Sequence, residues 1–326
     1  MKAVIVKGPG DPSVLKLKEI PMPLPDKDEV RIKIAYCALN PLDTHSRAAR
    51  VSWGAPTMPY TPGYEYTGRI DSVGKNVDKS IIGKRVAIIG QWGGNAEYAT
   101  TSIKNIIYVD ERLSWKMAAC YSTCGPTSWH LINSAAKLKP GEVITIHSAA
   151  GAVGTLTGQI AKSKGAFVIG LVGNDERAKF AEQYGFDVLI NRNKYEWPNE
   201  VLKITEQKGT NIIIDGVAGP EAELNYKAIA PLGNIIYIGQ MGGPPPKVNI
   251  STLIGKSFSV TGFVQFFHQN ANNFSENDEL ITNIINGKWT IPIGKIGTLD
   301  DVQELHQQFE ERKLCGRTLI KVFGEI

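Results

Sequence analysis

The chain has 326 residues, 42% of them hydrophobic, which is enough for two domains with full cores. Its net charge is +4, with Lys and Arg scattered among Asp and Glu, so no basic block supports nucleic-acid binding. No apolar run reaches the roughly 18 residues of a membrane span, and the first residues lack the apolar core of a signal peptide.

In chain order, short alternating strands are expected at 2–7, 15–20, 29–36, 66–73 and 85–89, punctuated by Pro and Gly, which is the pattern of an all-β domain. The Pro21-Met22-Pro23-Leu24-Pro25 segment is an extended connection, because proline blocks helix there. At residue 143 the pattern changes. Residues 143–154 read as a buried strand and then a turn of small residues: Ala149, Ala150, Gly151, Ala152, Val153 and Gly154. A helix is expected over 155–164. Strand, small-residue turn and helix is the arrangement that sets a pyrophosphate on a helix N-terminus. Gly151 lets the backbone approach phosphate oxygens, and Gly154 lets the helix pack close to the strand. Ala149 stands where the first glycine of G-x-G-x-x-G would be, so the turn alone fits either a dinucleotide site or an ordinary connection.

The chain beyond the turn favours the dinucleotide. Further strands are expected at 167–172, 187–191, 212–217, 233–239 and 258–263, with helical patterns between most of them, including a polar helix over 175–184. Continuous Val/Ile runs separated by helices imply a parallel sheet covered on both faces, a doubly wound α/β fold with its ligand at the carboxyl ends of the strands. A last strand, 318–323, is expected to return to the β domain. The domains are thus placed at 1–122 with 290–326, and at 123–289. Cys37, Cys120, Cys124 and Cys315 form no C-x-x-C pair and no zinc cluster, which reads as free thiols in a reducing compartment and a cytoplasmic protein.

Several segments, in this order, resemble the medium-chain dehydrogenase/reductase superfamily. They are Pro62-Gly63-Tyr64-Glu65-Tyr66-Thr67-Gly68, Val73-Gly74, Gly83-Lys84-Arg85-Val86, Gly94-Asn95-Ala96-Glu97-Tyr98, Pro140-Gly141-Glu142 and the small-residue turn. The resemblance implies a β-rich GroES-like catalytic domain beside the doubly wound parallel nucleotide-binding domain. Zinc members carry His where Tyr64 stands and Cys near Ala38 to Asn40, and residues 90–110 hold no cysteine. The chain therefore is similar to the zinc-independent quinone oxidoreductases, the zeta-crystallin-like group, and no metal is expected. By that resemblance Asn40 would face the substrate carbonyl and Asp43 would order the loop. His45 stands where the group often has Tyr, so His45 and Tyr64 join Asn40 as candidate donors to the acceptor oxygen.

For the cofactor, no acid lies near Val172 at the end of the second strand of the fold. An acid there would bind the ribose 2′-hydroxyl of NAD and repel a 2′-phosphate. Gly173 and Asn174 come next, and Arg177 and Arg192 could grip a phosphate, so NADPH is expected. Asp175 and Glu176 argue the other way unless they serve the helix start. The resemblance further places Thr127 on the nicotinamide face, Val217 and Ala218 at the ring amide, and Gly239, Gln240, Met241, Phe263 and Val264 at neighbouring strand ends. It also places Arg317 on the cofactor. It implies a homodimer paired through the last strand of the nucleotide fold and a small-molecule quinone or enone substrate. An enoyl-thioester reductase and a non-enzymic, crystallin-like NADPH-binding protein are the competing readings. The stretches 47–60 and 265–274, which would shape the acceptor pocket, follow no readable pattern.

Overall fold

The computed structural model describes residues 1–51, 56–268 and 274–326, with backbone alone at 274–277. Residues 52–55 and 269–273, within the two stretches expected to shape the pocket, lie outside the described residues. The chain divides into two units, Met1–Thr123 with Ile291–Ile326, and Cys124–Thr290. Its strands in order are β1 (Lys2–Ile5), β2 (Lys16–Glu19), β3 (Glu29–Ala38), β4 (Glu65–Val73), β5 (Arg85–Ile89), β6 (Tyr98–Ser102), β7 (Ile106–Tyr108), β8 (Val143–Ile146), β9 (Phe167–Val172), β10 (Val188–Asn191), β11 (Thr210–Asp215), β12 (Ile229–Tyr237), β13 (Ser259–Gly262), β14 (Ile293–Thr298) and β15 (Arg317–Lys321). The helices that bear on function are α1 (Pro41–Arg47), α2 (Ala152–Ser163), α3 (Asp175–Ala181), α4 (Leu224–Ala228) and α5 (Val302–Glu310).

The first unit is built on β3. Val30, Ile32 and Ile34 alternate with Arg31 and Lys33, so one face is buried and the other carries charge. From Ala35 to Ala38 every residue is buried, and there β4 pairs along one edge of the strand and, from Tyr36, β15 along the other. The sheet order is β14-β15-β3-β4-β5-β7, with β6 also on β3, while β1 and β2 form a separate antiparallel pair. The expected return of the late strand is met by β15, whose Leu319 pairs with Ala38. Val30, Ile32, Ile34, Ile70, Val86 and Ile88 form the core with Leu305 of α5 and Ile320.

The second unit holds six parallel strands in the order β10-β9-β8-β11-β12-β13. This is the doubly wound arrangement, with the order reversing at β8. Ile144, Ile146, Val168, Ile169, Ile213, Ile214, Ile235 and Ile236 are all buried, as the unbroken apolar runs required. Several boundaries differ from expectation, two of them at the starts of α2 and β12. α2 begins at Ala152 rather than 155, because Gly151, not a later residue, takes the extended N-cap conformation. β12 begins at Ile229, four residues early, and carries Leu232 at φ 64° on an exposed kink.

Candidate functional site

In the first unit the chain leaves β3 and turns at Asn40 into α1. Asp43, 1% exposed, ties that turn to a second one. Its Oδ2 accepts the Asn40 N–H at 2.9 Å, and its Oδ1 accepts the N–H groups of Gly63 and Tyr64 at 3.0 and 3.1 Å. Gly63 sits at φ 99°, and a Cβ there would lie 2.6 Å from the Asn95 nitrogen, so the turn needs glycine. Burial pushes the Asp43 carboxyl up to about 6, against the pull of the three amides and of Arg317.

The first residue of β4, Glu65, is fully buried. It accepts hydrogen bonds from the Asn40 side-chain amide at 3.0 Å, from the Thr123 N–H at 2.7 Å and from the Arg317 guanidinium. Arg317 also donates to Asn40 Oδ1 at 3.0 Å, and burial lowers its guanidinium to about 10. One expectation meets a contrary geometry. Asn40 does not offer its amide to a substrate carbonyl, since its amide nitrogen is bound to Glu65 and Ala38 O and its oxygen to Arg317. Arg317, expected at the cofactor, is buried as the counter-ion of Glu65. Glu65 was missed as a site residue, because in sequence it heads a strand that also carries Arg69 and Asp71, and only its burial marks it.

His45 and Tyr64 are half-buried in the same unit. Burial holds the His45 imidazole below its ordinary pKa and the Tyr64 phenol above its own. The Tyr64 ring meets Trp92 edge-on at 5.3 Å. Among the described residues no group of three or more His, Cys, Asp or Glu is arranged to hold a metal. Cys37, next to the expected ligand region, is fully buried, and burial pushes its thiol well above the ordinary range.

In the second unit the small-residue turn joins β8 to α2. Ala149 and Ala150 are buried, and Gly151 is an N-cap with φ −84° and ψ 165° and no side chain capping the helix. A Cβ on Gly154 would lie 2.4 Å from Ser148 O, so helix and turn approach too closely for any other residue. The first-turn amides, at Ala152, Val153 and Gly154, have no intrahelical acceptor. An uncapped helix N-terminus in a small-residue cradle fits a diphosphate.

The other cofactor candidates gather at the carboxyl ends of the same six strands, with Gly173 after β9, Arg192 after β10, Val217 after β11, Gly239, Gln240 and Met241 after β12, and Phe263 and Val264 after β13. Hydrogen bonds lace two of these ends together, Gly242 N–H to Val217 O at 2.7 Å and Met241 N–H to Gly216 O at 3.3 Å. Phe263 is buried and stacked on His268, whereas Val264 is exposed. The Thr127 hydroxyl is hydrogen-bonded to Gln265. The Asn174 side chain caps α3 by accepting the Arg177 N–H at 2.9 Å. Asp175, which weighed against a 2′-phosphate, is bound to Asn191 at 2.7 Å and to Lys194. Lys194 is a basic residue the sequence reading passed over, two positions beyond Arg192. Arg192 is mostly buried, 4.0 Å from Glu221.

Residues 26–111 match the family model described as alcohol dehydrogenase GroES-like domain, and residues 152–283 the one described as zinc-binding dehydrogenase. Human quinone oxidoreductase is 30% identical over 310 residues, covering 94% of this chain and 93% of that protein. A Pseudomonas aeruginosa quinone oxidoreductase is 27% identical over 320 residues, covering 95% and 96%. The solved quinone oxidoreductase of Pseudomonas syringae superposes with a TM-score of 0.90 at 29% identity, over 98% of this chain and 99% of that one. A mycobacterial protein solved in complex with NADPH superposes with a TM-score of 0.90 at 27% identity, over 98% and 100%. With near-complete coverage on both sides and the two-unit architecture described above, the chain belongs to the quinone oxidoreductase family of the medium-chain dehydrogenase/reductases.

Proposed function

We propose that this chain is an NADPH-dependent, zinc-independent reductase that delivers hydride to a quinone or another α,β-unsaturated carbonyl. The observation that carries the reading is the end-to-end likeness to quinone oxidoreductases, 94% of the chain against the human enzyme. Bound NADPH supplies the hydride. The uncapped N-terminus of α2 is the seat for its diphosphate. Arg177 and Arg192, with Lys194 two positions beyond Arg192, supply positive charge for the 2′-phosphate. The strand ends at Val217, Gly239, Gln240, Met241, Phe263 and Val264, with Thr127, receive the nicotinamide half.

When hydride reaches a conjugated carbonyl, negative charge grows on its oxygen, and that oxygen needs a hydrogen-bond donor. Conjugation already spreads the charge, so no Lewis acid is required. The donor set does not fit zinc either. Tyr64, a phenol held in its protonated form, takes the ligand histidine's place, Glu65 is bound to Arg317, and Asp43 is bound by three amides. His45 and Tyr64 remain as neutral donors in the first unit, and Glu65, Arg317, Asn40 and Asp43 act beneath them as a rigid floor. The four cysteines, none of them in a disulfide, support a cytoplasmic enzyme. Among the described residues no helix is long and apolar enough to cross a membrane.

The test is NADPH oxidation against a panel of quinones, enones and enoyl-CoA thioesters. Turnover with quinones or enones is expected. Saturation by enoyl-CoA alone would make it a thioester reductase, and NADPH binding without any turnover would make it a binding protein.

A further inference from the structure

The turn after β11 contains Ala218 at φ 49°, buried and in the left-handed region that favours glycine. A carboxylate holds it there. Asp215 Oδ1 accepts the N–H groups of Val217 at 2.7 Å and Ala218 at 2.9 Å. The other carboxylate oxygen, Oδ2, accepts from the Asn225 side-chain amide at 2.8 Å. Asn225, on α4, is fully buried, and its Oδ1 lies 2.9 Å from His147 Nε2. An amide oxygen can only accept, so Nε2 carries the proton and the ring is the donor. His147 directly follows β8, with only Ser148 between it and the cofactor turn, and its ring stands edge-on to Trp197 at 5.3 Å. The imidazole is faced by Asp215, whose Oδ1 is 3.8 Å from Nδ1, and by the charges of Arg192 and Glu221. Burial, the largest influence on it, keeps the ring below its ordinary pKa and therefore neutral.

This is a polar chain of three buried side chains set among isoleucines, and it ends on two backbone amides. Its order is His147, Asn225, Asp215, then the turn 217–218. Each of these links is made, while His147 Nδ1 is left without a hydrogen bond, 3.8 Å from Asp215 Oδ1, so the ring is held through Nε2 alone. In a doubly wound sheet the diphosphate sits at the switch point, here β8, and the adenosine half lies over the strands on one side, β9 and β10. The nicotinamide half therefore lies over the other side, where β11 and its turn stand.

We propose that His147 and Asn225 are positioning residues which, through Asp215, hold the 217–218 turn in the shape that receives the nicotinamide half of the cofactor. The inference rests on the NADPH reading above. It is tested by titrating NADPH, and separately 2′,5′-ADP, which lacks the nicotinamide half, against wild type, His147→Leu, Asn225→Leu and His147→Gln. Loss of the buried hydrogen bond is expected to raise the Kd for NADPH about tenfold in both leucine variants. The Kd for 2′,5′-ADP stays within about twofold of wild type. His147→Gln, which keeps a donor for Asn225, restores most of the NADPH affinity. If a leucine variant does not fold, Asn225→Ser, smaller and free of new clashes, carries the same expectation. Unchanged NADPH affinity in every variant, or equal loss for both ligands, overturns the proposal. A wild type that binds 2′,5′-ADP and NADPH not at all overturns the NADPH reading beneath it instead.

Discussion

Glu65 and Arg317 are worth most as an intact pair. Both are buried, and Asn40 and the Thr123 amide complete their hydrogen bonds. Removing one charge leaves the other unpaired in a dry interior. Glu65→Gln is therefore expected to lower unfolding stability by about 3–5 kcal/mol, read by denaturant titration. The double change Glu65→Leu with Arg317→Met is expected to recover much of that loss, because no lone charge remains. His306 on α5 gives a prediction in pH. Burial, helped by Arg47, lowers its pKa from 6.5 to about 3. The unfolded ring takes a proton as pH falls through the ordinary value, while the folded ring stays neutral until about pH 3. Its contribution is complete above pH 6.5 and is lost on acidification toward 3, at about 1.4 kcal/mol per pH unit. The stability difference between wild type and His306→Phe should carry that slope, and a difference independent of pH would refute it. Residue chemistry was only half legible in sequence. Asn40 and Arg317 were marked by type and place, but whether an amide or a guanidinium is spare depends on Glu65, which lies 25 and 252 positions away from them.

At the scale of elements, the β8–α2 turn was readable because strand, small residues and helix are all local signals. Its tolerance is equally local. Gly154→Val would force a side chain against Ser148 O, and a loss of about 1–3 kcal/mol in stability is expected from the overpacking, with weaker NADPH binding. Gly151→Ala, whose added carbon would meet Ser148 O at 3.1 Å, should be milder on both counts. On the NADPH reading, the choice of cofactor falls to the connections after β9 and β10. Arg192→Ala is expected to weaken NADPH about ten- to a hundredfold, the worth of one charged hydrogen-bonded pair, and to leave NADH nearly unchanged. Arg177→Ala should do the same less strongly. Equal losses for both cofactors in parallel titrations would mean the arginines do not read the 2′-phosphate. The strands that escaped the sequence were β6, β7 and β14. Tyr-Ala-Thr-Thr-Ser, Ile-Ile-Tyr and Ile-Gly-Lys-Ile-Gly-Thr are short or glycine-rich, and they become strands because β3, β5 and β15 offer them an edge.

For the whole molecule, β13 is one of the two edge strands of the second unit's sheet, the other being β10. Phe263 N–H donates inward to Tyr237 O, so by alternation Val260 and Gly262 direct their backbone groups outward. Ile250, Ile254 and Phe267, close to this strand in sequence, are strongly exposed. An edge of that kind is blunted by a second copy related by two-fold symmetry, so a homodimer is expected by light scattering at micromolar concentration. Val260→Pro, which removes an outward donor, is expected to shift it toward monomer. Only monomer in the wild type would sink the idea.

The antiparallel seat of β15 on β3 also has a consequence for synthesis. The second unit is continuous in sequence and can be complete as soon as residue 290 has left the ribosome. The first cannot. One side of β3 from Tyr36 to Ala38 stays unpaired, and Glu65 stays without its counter-ion, until Arg317 and the strand it begins have emerged. The earlier-made unit is thus the later to mature, and a ribosome stalled between residues 290 and 317 would display a sticky, half-built sheet beside a finished nucleotide fold, the species that chaperones and proteases should meet first.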